Sequence, residues 1–239
     1  MQLRYLKRIM QAPLSTPNAF VYLEFGALPV KYIIQIRQLT FLRHILGLED
    51  HDPVKKTFEA QKLLPYEKNW ANEVLPLLQV YQLTGYDIAN MSKEAWKHHV
   101  KNNVTQAALG QLTTLIKDKT KTKHLSYTSF NIQPYMQQYN HSQASIIFKL
   151  RSFSVDCKAN RKSSNLNLVC RLCNKELETQ LHIINCPAIF ENNDQLDLSL
   201  ILCDDVPDGD EEVLEICRRV NEFNKSISDC ISNASVEDE

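Results

Sequence analysis

The chain is poor in glycine, with five in 239 residues. Turns that need φ above zero should be few, and hairpin-rich all-β folds that depend on them are disfavoured. Long apolar runs are missing as well. No stretch approaches the roughly 18 residues that carry a helix across a bilayer, so no membrane segment is expected. A secretory signal is also lacking. In MQLRYLKRIMQAPL, Arg4, Lys7 and Arg8 alternate with apolar residues instead of preceding an unbroken apolar core. An intracellular chain, nuclear or cytoplasmic and not secreted, is expected. No GxGxxG, GxxxxGK(S/T), GxSxG or HExxH is present. Those absences remove the common phosphate cradles, nucleophile elbows and metalloprotease helices. Neither an enzyme nor a small-molecule site is expected.

What is present is unevenly charged. The formal net charge is −1. Residues 1–190 hold 24 Lys+Arg against 13 Asp+Glu, whereas residues 191–239 hold 3 against 15. A basic body suits a polyanionic partner. An acidic tail is either a solvated appendage or a cover for the basic surface.

The order of caps and apolar periods predicts helices. One spans residues 2–11. Thr16-Pro17 caps the next, which Gly26 ends. Pro29 opens VKYIIQIRQLTFLRHIL, apolar nearly all round and therefore expected in a core. Asp52-Pro53 caps a further helix. Another is expected over 66–84, bent at Pro76, and Ser92 caps a long one to about Ile116. KDKTKTKHLSYTSF reads as an exposed, lysine-rich connection. Helical character returns over 135–153, over 195–202 and over 210–230, while the final SNASVEDE is expected to be disordered.

The densest chemistry lies in NLVCRLCNKELETQLHIINCP. Cys170, Cys173, His182 and Cys186 fall within seventeen positions, spaced C-x2-C-x8-H-x3-C. Read as a helix, ETQLHIINC puts His182 and Cys186 on one face. Three thiolates and one imidazole suit one closed, tetrahedral, structural zinc ion with no open position for a substrate. A redox C-x-x-C leaves His182 and Cys186 without a purpose. Cys157, Cys203, Cys217 and Cys230 are too dispersed for a second site and read as core or partly exposed thiols.

CRLCNKELETQLHIINCP resembles the C-terminal zinc-binding segment of the reverse transcriptases of LINE-type (non-LTR) retrotransposons. RIMQAPLSTPNAFVYLEFGALPVKYIIQIRQLTFLRHILGLED is similar to the segment that follows the polymerase palm there. FKLRSFSVDCKANRK adds a third likeness in the same order, so the resemblance covers roughly residues 1–190. The family has x4 where this chain has x3 between His182 and Cys186. A paired-aspartate polymerase motif, fingers, palm and endonuclease are all missing. The resemblance therefore implies a non-catalytic C-terminal fragment that holds template RNA or target DNA through its backbone.

The combined expectation is a mainly α chain: an irregular helical bundle, a small CCHC zinc knuckle, and an acidic helical or disordered tail. Expected divisions are thumb-like helices over 1–62, a helical linker over 63–164, the knuckle over 165–192 and the tail over 193–239. Candidate nucleic-acid contacts are Lys119, Lys121, Lys123, Arg151, Arg161, Lys162, Arg171 and Lys175. The alternatives are a protein-interaction module that uses the acidic tail, or an inactive remnant with a structural zinc clip.

Overall fold

The computed structural model describes residues 1–64, 68–161, 167–190 and 195–234. Among these there are eleven α-helices, one short 3-10 turn and no strand. None of the helices is long and apolar enough to cross a membrane. The chain divides into two compact units that cut across the four expected segments.

The second unit comprises Ala27–Thr113 with Thr128–Phe130. Its helices are α3 (Val30–Leu46), α4 (Pro53–Leu63), α5 (Trp70–Val80) and most of α6 (Lys93–Lys117). Local chemistry sets where they start. The Asp52 carboxylate accepts from the Val54 amide, with Pro53 at the first helical position. The Ser92 hydroxyl accepts from the Ala95 amide at the head of α6. Leu39, Leu42, Phe58, Val74, Trp96 and Val100 form the core. Trp96 is fully buried and donates its indole N–H to the Leu39 carbonyl at 2.8 Å, which satisfies its one polar atom. α3 enters the core as expected, although its apolar residues are not all buried. It buries Tyr32, Leu39, Leu42 and Ile45, whereas Val30, Ile34 and Phe41 are about half exposed.

The first unit gathers Met1–Gly26, Thr114–Tyr127 and the described residues from Asn131 onward. It holds α1 (Gln2–Ile9), α2 (Asn18–Glu24), α7 (Tyr135–Gln138), α8 (His141–Arg151), α9 (Gln180–Ile184), α10 (Ser199–Leu202) and α11 (Glu211–Ala234). The single run expected over 135–153 is split at Tyr139. There Asn140 and Gln143 form a reciprocal capping box that starts α8 afresh. Thr16 is not the cap of α2. Pro17 holds that position without a side-chain bond, and the Thr16 carbonyl instead accepts from Lys7. Lys7 is buried, and its ammonium is met by the Leu14 carbonyl, the Thr16 carbonyl and the Asn18 side chain at 2.6–2.8 Å.

The tail is a packed element and not an appendage. Val213, Ile216, Cys217, Val220 and Phe223 of α11 are buried against α8 and α9. The helix continues to Ala234, so Ser232–Ala234 are helical where disorder was expected; residues 235–239 lie outside the described residues.

At the heart of this unit the Glu24 carboxylate is fully buried. It accepts from the hydroxyls of Tyr127 and Tyr135 and from Arg151 Nε at 3.1 Å. The Arg151 guanidinium also donates to the carbonyls of Ile201 and Cys203. Arg151 was an expected nucleic-acid contact, and that is corrected. It is 1% exposed, because it neutralises Glu24 in the core. Burial alone would depress its guanidinium; the Glu24 charge outweighs this and raises it above its ordinary value. Burial, reinforced by Glu24, pushes both tyrosine hydroxyls well up.

Gly26 follows Glu24 at φ 57°. A Cβ there would lie 2.5 Å from the Asn131 carbonyl carbon and 2.6 Å from the Ile132 nitrogen. Gly26→Ala is expected to lower stability by more than about 1 kcal/mol, read from the urea midpoint. An unchanged midpoint would show that the two strands of chain do not approach this closely.

Candidate metal centre

The Cys170–Cys186 segment starts on one isolated antiparallel bridge, Val169 to Leu177. The Cys170 amide donates to the Glu176 carbonyl at 2.8 Å, closing the turn that carries the C-x2-C pair. Asn174 sits in that turn at φ 52°, a conformation asparagine tolerates better than most residues. Thr179 then caps α9, accepting from the His182 amide at 3.0 Å. Ligand atoms of Cys170, Cys173, His182 and Cys186 all lie within 4.8 Å of one another, so the four can hold a metal ion. Cys170 Sγ and Cys186 Sγ are 3.8 Å apart, and Cys173 Sγ is 3.4 Å from His182 Nε2. The helical reading of His182 and Cys186 is corrected in part. α9 ends at Ile184, and Cys186 is presented by the turn beyond it.

The inner groups differ in proton affinity. Burial raises the Cys186 thiol, the Ala188 amide opposes it, and Cys170 and Cys173 add to the rise, to about 12. At Cys173, burial is outweighed by the Glu176 and Lys175 amides and by Cys170 and His182, and the thiol falls to about 7. An ion would replace the protons on all three.

Residues just outside the four orient them. His182 Nδ1 lies 3.2 Å from the Glu176 carboxylate, which leaves Nε2 directed at the thiols. Glu178, fully buried, accepts from the Arg171 guanidinium at 2.7–3.1 Å and from the Arg171 and Lys158 amides. Arg219 of α11 donates to the Ile184 carbonyl at 3.0 Å, at the C-terminal end of α9. Gln180 donates to the Leu150 carbonyl. The knuckle is therefore built into the first unit. Sequence reasoning had not found Glu176, Glu178 or Arg219 as supports. Two acids so close to the histidine were the available signal for Glu176 and Glu178; Arg219 had none.

Compared with models of protein families, with curated proteins and with solved structures, the chain has no match.

The eight expected cations are dispersed. Lys119, Lys121, Arg161 and Arg171 line one groove of the first unit, of about 1430 Å3. Arg161 and Arg171 both pair with Asp156 there. Lys123 and Lys175 are exposed but do not line it, Arg151 is in the core, and Lys162 lies outside the described residues. Lys149 joins the groove unannounced by any motif; its signal was a lysine set between buried Phe148 and Leu150.

Proposed function

We propose that the chain is a non-catalytic nucleic-acid-binding module clipped by one structural zinc ion, and that it corresponds to the C-terminal part of a non-LTR retrotransposon reverse transcriptase. Three thiolates and an imidazole form a soft, closed donor set of the kind zinc takes. A tetrahedral ion with zinc–sulfur bonds of about 2.3 Å requires sulfur–sulfur separations of about 3.8 Å and sulfur–nitrogen separations of about 3.5 Å. The 3.8 Å and 3.4 Å separations in the cluster fit that shape.

The observation that carries the binding reading is the groove. It gathers Lys119, Lys121 and Lys149 beside Arg161 and Arg171, which are already engaged by Asp156 and Glu178, and the other acid of its lining is Asp118. Cations so grouped would contact phosphates with little regard for base sequence. The resemblance supplies the family and the binding role, since the protein comparisons are silent. The expected result is that zinc-loaded protein, titrated by fluorescence anisotropy, binds RNA or DNA with affinity that falls steeply as salt rises. Affinity indifferent to salt, or no affinity, would overturn the reading.

A further inference from the structure

Two lysines of the first unit, Lys7 and Lys149, have opposite surroundings. Lys7 is buried and its ammonium is met by three oxygens. That is how a structural lysine is satisfied. Lys149, on α8, is half-buried and points no charge at any acid. Its ammonium has no hydrogen-bond or ion-pair partner among the described residues. Burial lowers its proton affinity with nothing to offset the effect. A desolvated cation without a counter-charge is unfavourable in the free protein. An anion in the groove it lines would relieve that cost.

The groove also receives a face of α11 that composition did not foretell. Asn221, Asn224 and Ser228 line it, at spacings of three and four that share one helix face. All three are exposed, and the Asn221 and Asn224 amides have no hydrogen-bond partner among the described residues. No carboxylate of α11 lines the groove. Glu215 and Glu222 are held by Arg218 instead. The acidic helix thus turns an uncharged strip towards the cations, so it extends the groove and does not neutralise it.

We propose that this groove seats one unpaired strand of nucleic acid, with Lys149, Lys119 and Lys121 taking backbone phosphates and Asn221 and Asn224 taking base edges. The inference rests on the nucleic-acid reading and narrows it to a place and a strand form. Side-chain amides can pair with the Watson–Crick edges of bases, which a single strand exposes and a duplex occupies. The volume, about 1430 Å3, exceeds the roughly 300–1,000 Å3 usual for small-ligand pockets. Phe153, half-buried in the same lining, supplies an aromatic ring of the sort that single-strand sites use.

The test is an anisotropy titration of the full, metal-loaded chain with a short single-stranded RNA, the matching single-stranded DNA and a duplex DNA, over a salt series. Variants are Lys149→Gln, Lys149→Arg and Asn221→Ala/Asn224→Ala, each checked for wild-type metal content and helical circular dichroism. A single strand is expected to bind more tightly than the duplex. Lys149→Gln should weaken it on the order of tenfold and reduce the salt slope by about one, with Lys149→Arg restoring both. The asparagine pair should weaken binding and leave the slope unchanged. Wild-type affinity and slope in Lys149→Gln would overturn the groove while the nucleic-acid reading stood. Tighter duplex binding would overturn the strand form. No binding by the unmodified chain would overturn both readings.

Discussion

Stripping the metal, or replacing Cys186 by serine, is expected to destabilise the first unit by about 5 kcal/mol or more. Structural zinc in isolated finger peptides is worth about 10–16 kcal/mol of apparent binding energy, and that energy is folding energy. Here the figure should be smaller, since Ile183 and Ile184 are buried beside the cluster and contribute apolar packing of their own. Without an ion, three thiols and an imidazole crowd within 4.8 Å. Urea unfolding followed by circular dichroism, with and without a chelator, measures the difference. Hydrogen exchange should place the first loss of protection in 167–190. Acid should act in the same direction. Protons compete with the ion for three thiolates, so metal affinity, and the stability it confers, falls as pH falls. An identical urea midpoint with and without chelator would remove the structural role.

Arg151→Met is the second large effect. It leaves the fully buried Glu24 carboxylate with only the Tyr127 and Tyr135 hydroxyls. Breaking a buried pair by removing one partner costs about 3–5 kcal/mol, because the other charge stays desolvated. The double variant Glu24→Gln/Arg151→Met should recover most of that loss, since no charge stays buried and a neutral amide can accept from one tyrosine hydroxyl and donate to the other. A urea-unfolding double-mutant cycle reads both numbers. A loss below about 1 kcal/mol in the single variant would show that Glu24 and Arg151 are not the buried pair described.

The Cys3His cluster was legible because its four residues sit within seventeen positions of one another. The helical class was legible for a similar reason, since caps such as Asp52 and Ser92 act within three residues. Arg151 was misread because its partner is 127 positions away. Basic composition cannot tell a solvated cation from one that neutralises a core carboxylate. The helix of the tail was legible, but its net charge left open whether it is a solvated appendage or packs on the body. Its apolar stripe through Val213, Ile216, Val220 and Phe223 was visible, but only packing revealed that the same helix gives a basic groove an uncharged wall. Lys7 and Lys149 each follow an apolar residue on a helix, and nothing in the sequence says how either ammonium is met. Only the oxygens around one and their absence around the other separate a structural lysine from a candidate ligand-binding one.

The closed centre is the claim on which the rest depends. X-ray absorption at the zinc edge of the purified chain tests it most directly. The expected spectrum has one zinc per chain, three sulfurs at about 2.3 Å and one nitrogen at about 2.0–2.1 Å, with no water in the inner shell. A shell containing oxygen or fewer than three sulfurs, or a chain that holds no zinc, would contradict it.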